Sequence, residues 1–99
     1  MKIILHRNFK KKYKKLRERE QKKFKIRRNL FLHNPFDPLL NNHGLSGEYR
    51  GYRSIDITGD LRVHYEPIEE NIAMFITIGT HSELYGWPRA VRQLATGKS

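Results

Sequence analysis

Residues 78 to 86 read Ile-Gly-Thr-His-Ser-Glu-Leu-Tyr-Gly, so an imidazole, His81, and a phenol, Tyr85, stand just past the tip of an apolar run. A turn needs neither group. Upstream, Arg50, Arg53, Ser54, Asp56, Asp60, Arg62 and His64 fall within fifteen residues, with His43 shortly before them. Imidazoles, carboxylates, guanidinium groups and an aromatic ring that converge on one surface could cleave RNA without a metal or cofactor, and none is expected. In that reaction the 2′-hydroxyl attacks the adjacent phosphorus while one group accepts its proton. A second group protonates the leaving 5′-oxygen, and a cation stabilises the phosphorane. Histidine titrates close enough to neutrality to serve as acid or base, arginine pairs with phosphate through two parallel hydrogen bonds, and an aromatic ring can stack on a base.

The elements that must carry these groups follow from hydrophobic spacing. Residues 2 to 6, Lys-Ile-Ile-Leu-His, read as a short opening strand. From Arg7 to about His33 there is no Pro or Gly and helix formers dominate. Phe9, Tyr13 and Leu16 share one helical face, after which apolar residues are missing until Phe24, Ile26, Leu30 and Phe31. That gap predicts two helices meeting around Arg17 to Gln21. The stretch from His33 to Gly47 holds two prolines, three asparagines and two glycines, and is predicted as a loop. Beyond it the period becomes two. Ile55 and Ile57 share one face with Arg53 while Arg50, Tyr52, Ser54 and Asp56 share the other; then Leu61, Val63 and Tyr65 point inward and Arg62, His64 and Glu66 outward. Thr58-Gly59-Asp60 makes the intervening turn, and residues 72 to 79 are apolar on both faces, as a central strand is. A short helix from Pro88 to Leu94 is expected in the tail.

The prediction is therefore an α+β domain spanning residues 1–99, with two N-terminal helices packed on a small antiparallel sheet. Residues 1–33 form a strand and helical hairpin, 34–48 a loop, 49–86 the sheet and site, and 87–99 a tail. With 99 residues there is material for one core and not two. There is no cysteine, which excludes disulfides and thiolate metal sites. No apolar run reaches the roughly 20 residues that span a bilayer. Residues 1 to 9 do not read as a signal peptide, so a cytoplasmic location is expected and a membrane partner is not.

Charge is the strongest bulk signal. Lys plus Arg number 20 against 10 acidic residues, a net charge of +10. Residues 1 to 28 carry 14 of the basic residues against Glu18 and Glu20 alone, a net +12, which leaves −2 for the remainder. Such a stretch attracts polyanions. Lys11, Lys14 and Lys15, together with Arg50 and Arg53, are the candidate RNA-backbone contacts, and an acidic, partly disordered protein segment could fold over the same surface.

Two stretches, HGLSGEYRGYRSIDITGDLRVHYE and IGTHSELYG, together resemble the RelE/ParE toxin superfamily, most nearly its YafQ-like mRNA interferases. The resemblance runs from about Asn34 to Gly86 and rests on H-x-L-x-G, G-Y-R, an acid in the hairpin turn and G-T-H-x-x-L-Y taken as a set. It implies a RelE-like fold and a toxin of a type II toxin-antitoxin system. Such a toxin cuts mRNA, often on the ribosome, and is silenced by a cognate antitoxin, here expected to be an acidic product encoded alongside. By position, His43 matches the family's loop histidine, His81 its strand-end histidine and Asp60 its turn acid. Tyr85 takes a place usually held by phenylalanine, and Arg62 one where many relatives outside the YafQ-like branch put a phosphate-binding arginine. Asp56 departs from the pattern: histidine is common there in YafQ-like enzymes, as an acid is at Ser54. A carboxylate can accept a proton but cannot act as an imidazolium does, so the pattern leaves the division of acid and base open.

Plainer explanations stand beside each assignment. His81 could serve only as a helix-start residue, His43 as a loop cap, and Asp60 as a turn former next to Gly59. Arg53 shares the inward parity of Ile55 and could be structural, Arg62 could be a solubilising strand residue, and Tyr85 could cover the core edge. His64 and Trp87 read as packing or surface residues. Two other functions also remain open: a ParE-type toxin that binds DNA gyrase, which would lack the catalytic histidines, and a non-catalytic RNA-binding module.

Overall fold

The chain is described by a computed structural model over residues 1–84. Tyr85, Trp87 and the helix expected at 88–94 lie outside the described residues. Strand β1 (Lys2–Leu5) leads into α1 (Arg7–Lys14) and α2 (Glu18–His33), followed by β2 (His43–Gly44), β3 (Arg53–Asp56), β4 (Leu61–Glu69), β5 (Ile72–Thr80) and α3 (His81–Leu84). This is the expected α+β architecture, with the hairpin break at residues 15–17, slightly earlier than the predicted 17–21. No glycine is needed there. The Gln21 side-chain amide donates to the carbonyls of Tyr13 at 3.0 Å and Leu16 at 3.3 Å, satisfying the end of α1. The Glu20 carboxylate accepts from the Arg17 amide at 3.0 Å and opens α2. Among the described residues, no helix is long and apolar enough to cross a membrane.

The sheet order is β1-β5-β4-β3-β2, and the sheet is mixed. The pairings of β3 with β4 and β4 with β5 are antiparallel, as predicted; β2 forms a further antiparallel pair with β3 inside the stretch read as loop, and β1 runs parallel to β5 with Leu5 opposite Phe75. Local periodicity identifies a strand but not the direction of its neighbour, which is fixed by where the chain returns after the helices.

One face of the sheet is covered by the helices. Phe9, Phe24, Phe31, Ile55, Val63, Tyr65, Phe75 and Ile78 are buried together there. The rings of Phe31 and Phe75 meet edge-on at 5.4 Å, and Phe31 and Tyr65 at 5.1 Å. Such pairs are worth about 0.5–1.5 kcal/mol each beyond the area they bury.

The second face is not open, and this corrects the expectation that His64 and Glu66 point to solvent. Both are buried, His64 to 1% exposure, beside a smaller cluster of Tyr49, Tyr52 and Ile76. The segment from Leu45 to Tyr52 folds over that face instead of extending the strand: Gly47–Tyr49 forms a single helical turn and β3 starts only at Arg53. Arg50 accordingly stands on an exposed turn rather than on the strand. A bulge in β5 explains why its sequence is apolar on both faces. His64 pairs with Thr77 but Tyr65 with Phe75, so Ile76 is the extra residue. Ala73, Phe75 and Ile78 pack toward the helices, and Ile76 toward the second cluster.

Candidate functional site

Alternate rows of the sheet point away from the helices. One row runs His43, Ser54, His64, Thr77; another runs Asp56, Arg62, Gly79, with His81 just beyond as the first residue of α3. The row between them, Ile55, Val63 and Ile78, enters the main core. Period two thus delivers two polar rows to one surface and fixes them to a rigid base.

A chain of polar contacts links the two exposed histidines. His43 Nδ1 lies 2.7 Å from the Asn41 carbonyl oxygen, and the Asn41 amide donates to Asp56 Oδ2 at 3.4 Å. Asp56 Oδ1 faces Arg62 Nε at 3.4 Å, and an Arg62 terminal nitrogen lies 3.0 Å from His81 Nδ1. Each end of this chain selects a tautomer. A carbonyl only accepts, so His43 Nδ1 carries the proton and its outer nitrogen, Nε2, presents a lone pair. A guanidinium only donates, so His81 Nδ1 accepts and its outer Nε2 carries the proton.

His64 lies beneath this surface. Burial, with the nearby His43, His81 and Arg62, pushes its imidazole down to about 4, so it is neutral at physiological pH and adds no charge to the site.

The loop before β2 sets His43. Asn41 adopts a left-handed backbone conformation with φ 47°, which asparagine tolerates. Asn42 is a junction. Its amide donates to the Pro35 carbonyl and the Tyr65 hydroxyl, each at 2.8 Å, and its side-chain oxygen accepts from Arg53 Nε at 2.8 Å. Arg53 also lies over the Phe36 ring at 5.4 Å. Two of the Arg53 guanidinium nitrogens thus contact Asn42 and brace the loop, in line with the inward parity of this residue. Asn41 and Asn42 escaped the sequence reading because asparagine in a loop is common, and only their contacts mark them out.

The structure brings His43, Asp56, Arg62 and His81 into one linked set. Asp60 sits in the exposed turn before β4, where its neighbour Leu61 pairs with Thr80, at the end of the sheet that carries His81. Lys11, Lys14 and Lys15 are exposed on and just after α1, and Arg50 lies outside the linked set. A groove of about 750 Å³ between α2 and the β3–β4 turn is lined by Arg17, Arg19, Lys22, Lys23 and Arg27 and reaches Asp56. Among the described residues, no group of three or more His, Asp or Glu is placed to hold a metal ion.

Comparison with known proteins follows the same lines. The family described as the bacterial toxin of type II toxin-antitoxin systems, YafQ, matches residues 1–86. Among solved structures, the chain is similar to YafQ from E. coli strain BL21(DE3), with a TM-score of 0.72 and 25% identity over 85% of this chain and 97% of that one. It resembles the E. coli DinJ-YafQ complex with a TM-score of 0.70 and 25% identity, over 85% and 97% of the two chains. It shares its fold with a YoeB/ParE toxin from Agrobacterium tumefaciens, with a TM-score of 0.68 and 22% identity over 82% of this chain and 99% of that one. No curated protein sequence matches it directly.

Proposed function

This chain belongs to the YafQ family of toxins from bacterial type II toxin-antitoxin systems, and from that membership we propose that it is an endoribonuclease acting on mRNA by 2′-hydroxyl attack. The observation that carries the reading is the contact chain joining His43 to His81 through Asn41, Asp56 and Arg62. The outer nitrogen of His43, already a lone pair, takes the proton from the 2′-hydroxyl. The 2′-oxygen bonds to phosphorus, and the phosphorane's negative charge draws the Arg62 guanidinium. As Arg62 turns to the phosphate it releases His81 Nδ1, which takes a proton from solvent water, and the resulting imidazolium gives its Nε2 proton to the 5′-oxygen as the P–O5′ bond breaks. The products are a 2′,3′-cyclic phosphate and a 5′-hydroxyl. Asp56 holds Arg62 in place, Asp60 is a further candidate acid or base, and a base-stacking role is proposed for Tyr85 from its residue type alone.

The basic groove between α2 and the β3–β4 turn supports an RNA strand running from the site along the helical hairpin, with Lys11, Lys14, Lys15 and Arg50 adding contacts. The setting proposed is the ribosome in the cytoplasm. E. coli YafQ has been solved with DinJ; by analogy we propose for this chain a cognate antitoxin whose acidic segment neutralises the hairpin, which carries +12 over residues 1 to 28.

Purified protein incubated with RNA in EDTA tests the proposal directly. Cyclic-phosphate ends are expected with the wild type and not with His81→Ala. Intact RNA together with inhibited gyrase supercoiling would favour the gyrase-binding alternative. Tight, salt-sensitive binding without product would indicate an RNA-binding module.

A further inference from the structure

We propose that Glu83 is the positioning residue for His81, holding the first turn of α3 through a reciprocal cap with Thr80 that is built across Gly79. The inference rests on the ribonuclease reading of the site for its catalytic consequence and on geometry alone for the positioning.

His81 is the first helical residue after β5, so the direction of its imidazole depends on how the strand turns into the helix. Two hydrogen bonds fix that turn. The Thr80 amide donates to Glu83 Oε1 at 2.8 Å, and the Glu83 amide donates to Thr80 Oγ1 at 3.3 Å. The sequence Thr-His-Ser-Glu is thus a capping box with His81 inside it. Leu84, 2% exposed, anchors the far end of the same turn.

Gly79 makes the arrangement possible. A Cβ there would come within 3.1 Å of Glu83 Oε1 and 3.4 Å of Glu83 Cβ, so a larger residue would push the carboxylate off the strand end. Gly79 is also the partner of Arg62 across the sheet, and Arg62 lies 3.0 Å from His81 Nδ1. One tight junction therefore sets both the imidazole and the register of its guanidinium neighbour. The Thr80 amide and hydroxyl, with a smaller contribution from Lys12 on α1, hold the Glu83 carboxyl below its usual range. The cap accordingly stays ionised wherever an imidazole titrates.

A helix cap that merely adds stability would look the same in a static structure, so the test must separate placement from folding. In the full chain, Glu83→Ala is expected to lower kcat for RNA cleavage by roughly 10- to 100-fold, since a small misplacement of a reacting group is enough to do so. KM should stay within about twofold, because no substrate contact is removed. Glu83→Gln keeps the acceptor and should remain within about threefold of the wild-type rate. Without RNA, the ring ¹⁵N signals of His81 should report an Nε2-protonated tautomer in the wild type and in Glu83→Gln, and tautomer averaging in Glu83→Ala. A wild-type rate in Glu83→Ala, an equal loss in Glu83→Gln, or an unchanged ring signal in Glu83→Ala would overturn the proposal. If the wild type does not cleave RNA, the ribonuclease reading fails, and the ring signal decides the role of Glu83 by itself.

Discussion

His43 is carried on a two-residue strand at the margin of the sheet, at the end of a loop held by side chains; His81 follows a nine-residue strand that is buried over most of its length. The first mount is assembled from residues far apart in sequence, Pro35, Asn42, Arg53 and Tyr65. The second is local, a strand end turned into a helix within four residues. The two rings nevertheless belong to one contact chain. The difference suggests that the fold supplies the position of His81 as a by-product of its core, and must build that of His43 separately.

Removing the rings tests that comparison most severely. His81→Ala and His43→Ala should each lower kcat by roughly 100- to 10,000-fold, the usual cost of losing a general acid or base. The double variant should lose little more than the worse single one, because groups acting as a unit are not additive. Single-turnover cleavage of a defined RNA measures all three, and a multiplicative double loss would separate the two histidines functionally.

The next effect concerns the ground they share. His64 faces His43, His81 and Arg62, and its imidazole titrates at about 4 instead of 6.5. Between those values the unfolded chain binds the extra proton and the folded one does not. Stability is therefore complete above pH 6.5 and lost as pH falls toward 4, by about 3 kcal/mol in all. Urea denaturation across that range should show the loss in the wild type and a flatter profile in His64→Gln. Parallel profiles would assign the acid sensitivity elsewhere.

Asn42→Ala attacks the built mount alone. Arg53 and the Tyr65 hydroxyl would each lose a partner, at a cost of about 1–3 kcal/mol. His43 would lose its anchor while His81 kept its own. Thermal unfolding and kcat should fall together, with the His81 ring signals unchanged; a shift of those signals would show that the mounts are not independent.

How much of this could be read in the sequence follows the same division. Phe9, Tyr13 and Leu16 disclose α1, Ile55 and Ile57 disclose the buried side of β3, and Arg53 betrays its structural side by parity. His81 was legible from the place where an apolar strand ends. His43 and Arg62 were candidates by residue type and spacing, and a family pattern strengthened them, because parity says which face a residue takes and not what it meets there. The same limit hid the burial of His64, since the cover comes from residues 45 to 52, of which 45–48 read as loop and 49–52 as strand, and all of which fold back over the sheet. The parallel direction of β1 was hidden because nothing within four residues encodes where β5 will lie.

The smallest effect on chemistry is expected where the charge is greatest. Lys11, Lys14 and Lys15 belong to neither mount, so replacing all three with Gln should leave kcat within about twofold, since only binding common to ground and transition state is removed. Binding should weaken, and the slope of log affinity against log salt should become shallower by about 2, given roughly 0.7 per phosphate contact on a single strand. Fluorescence anisotropy with a labelled RNA, read beside single-turnover rates, separates the two quantities. A kcat that fell with the lysines would mean that the hairpin helps to orient the scissile phosphate, and the rigidity of the two histidine mounts would then not suffice to set the rate.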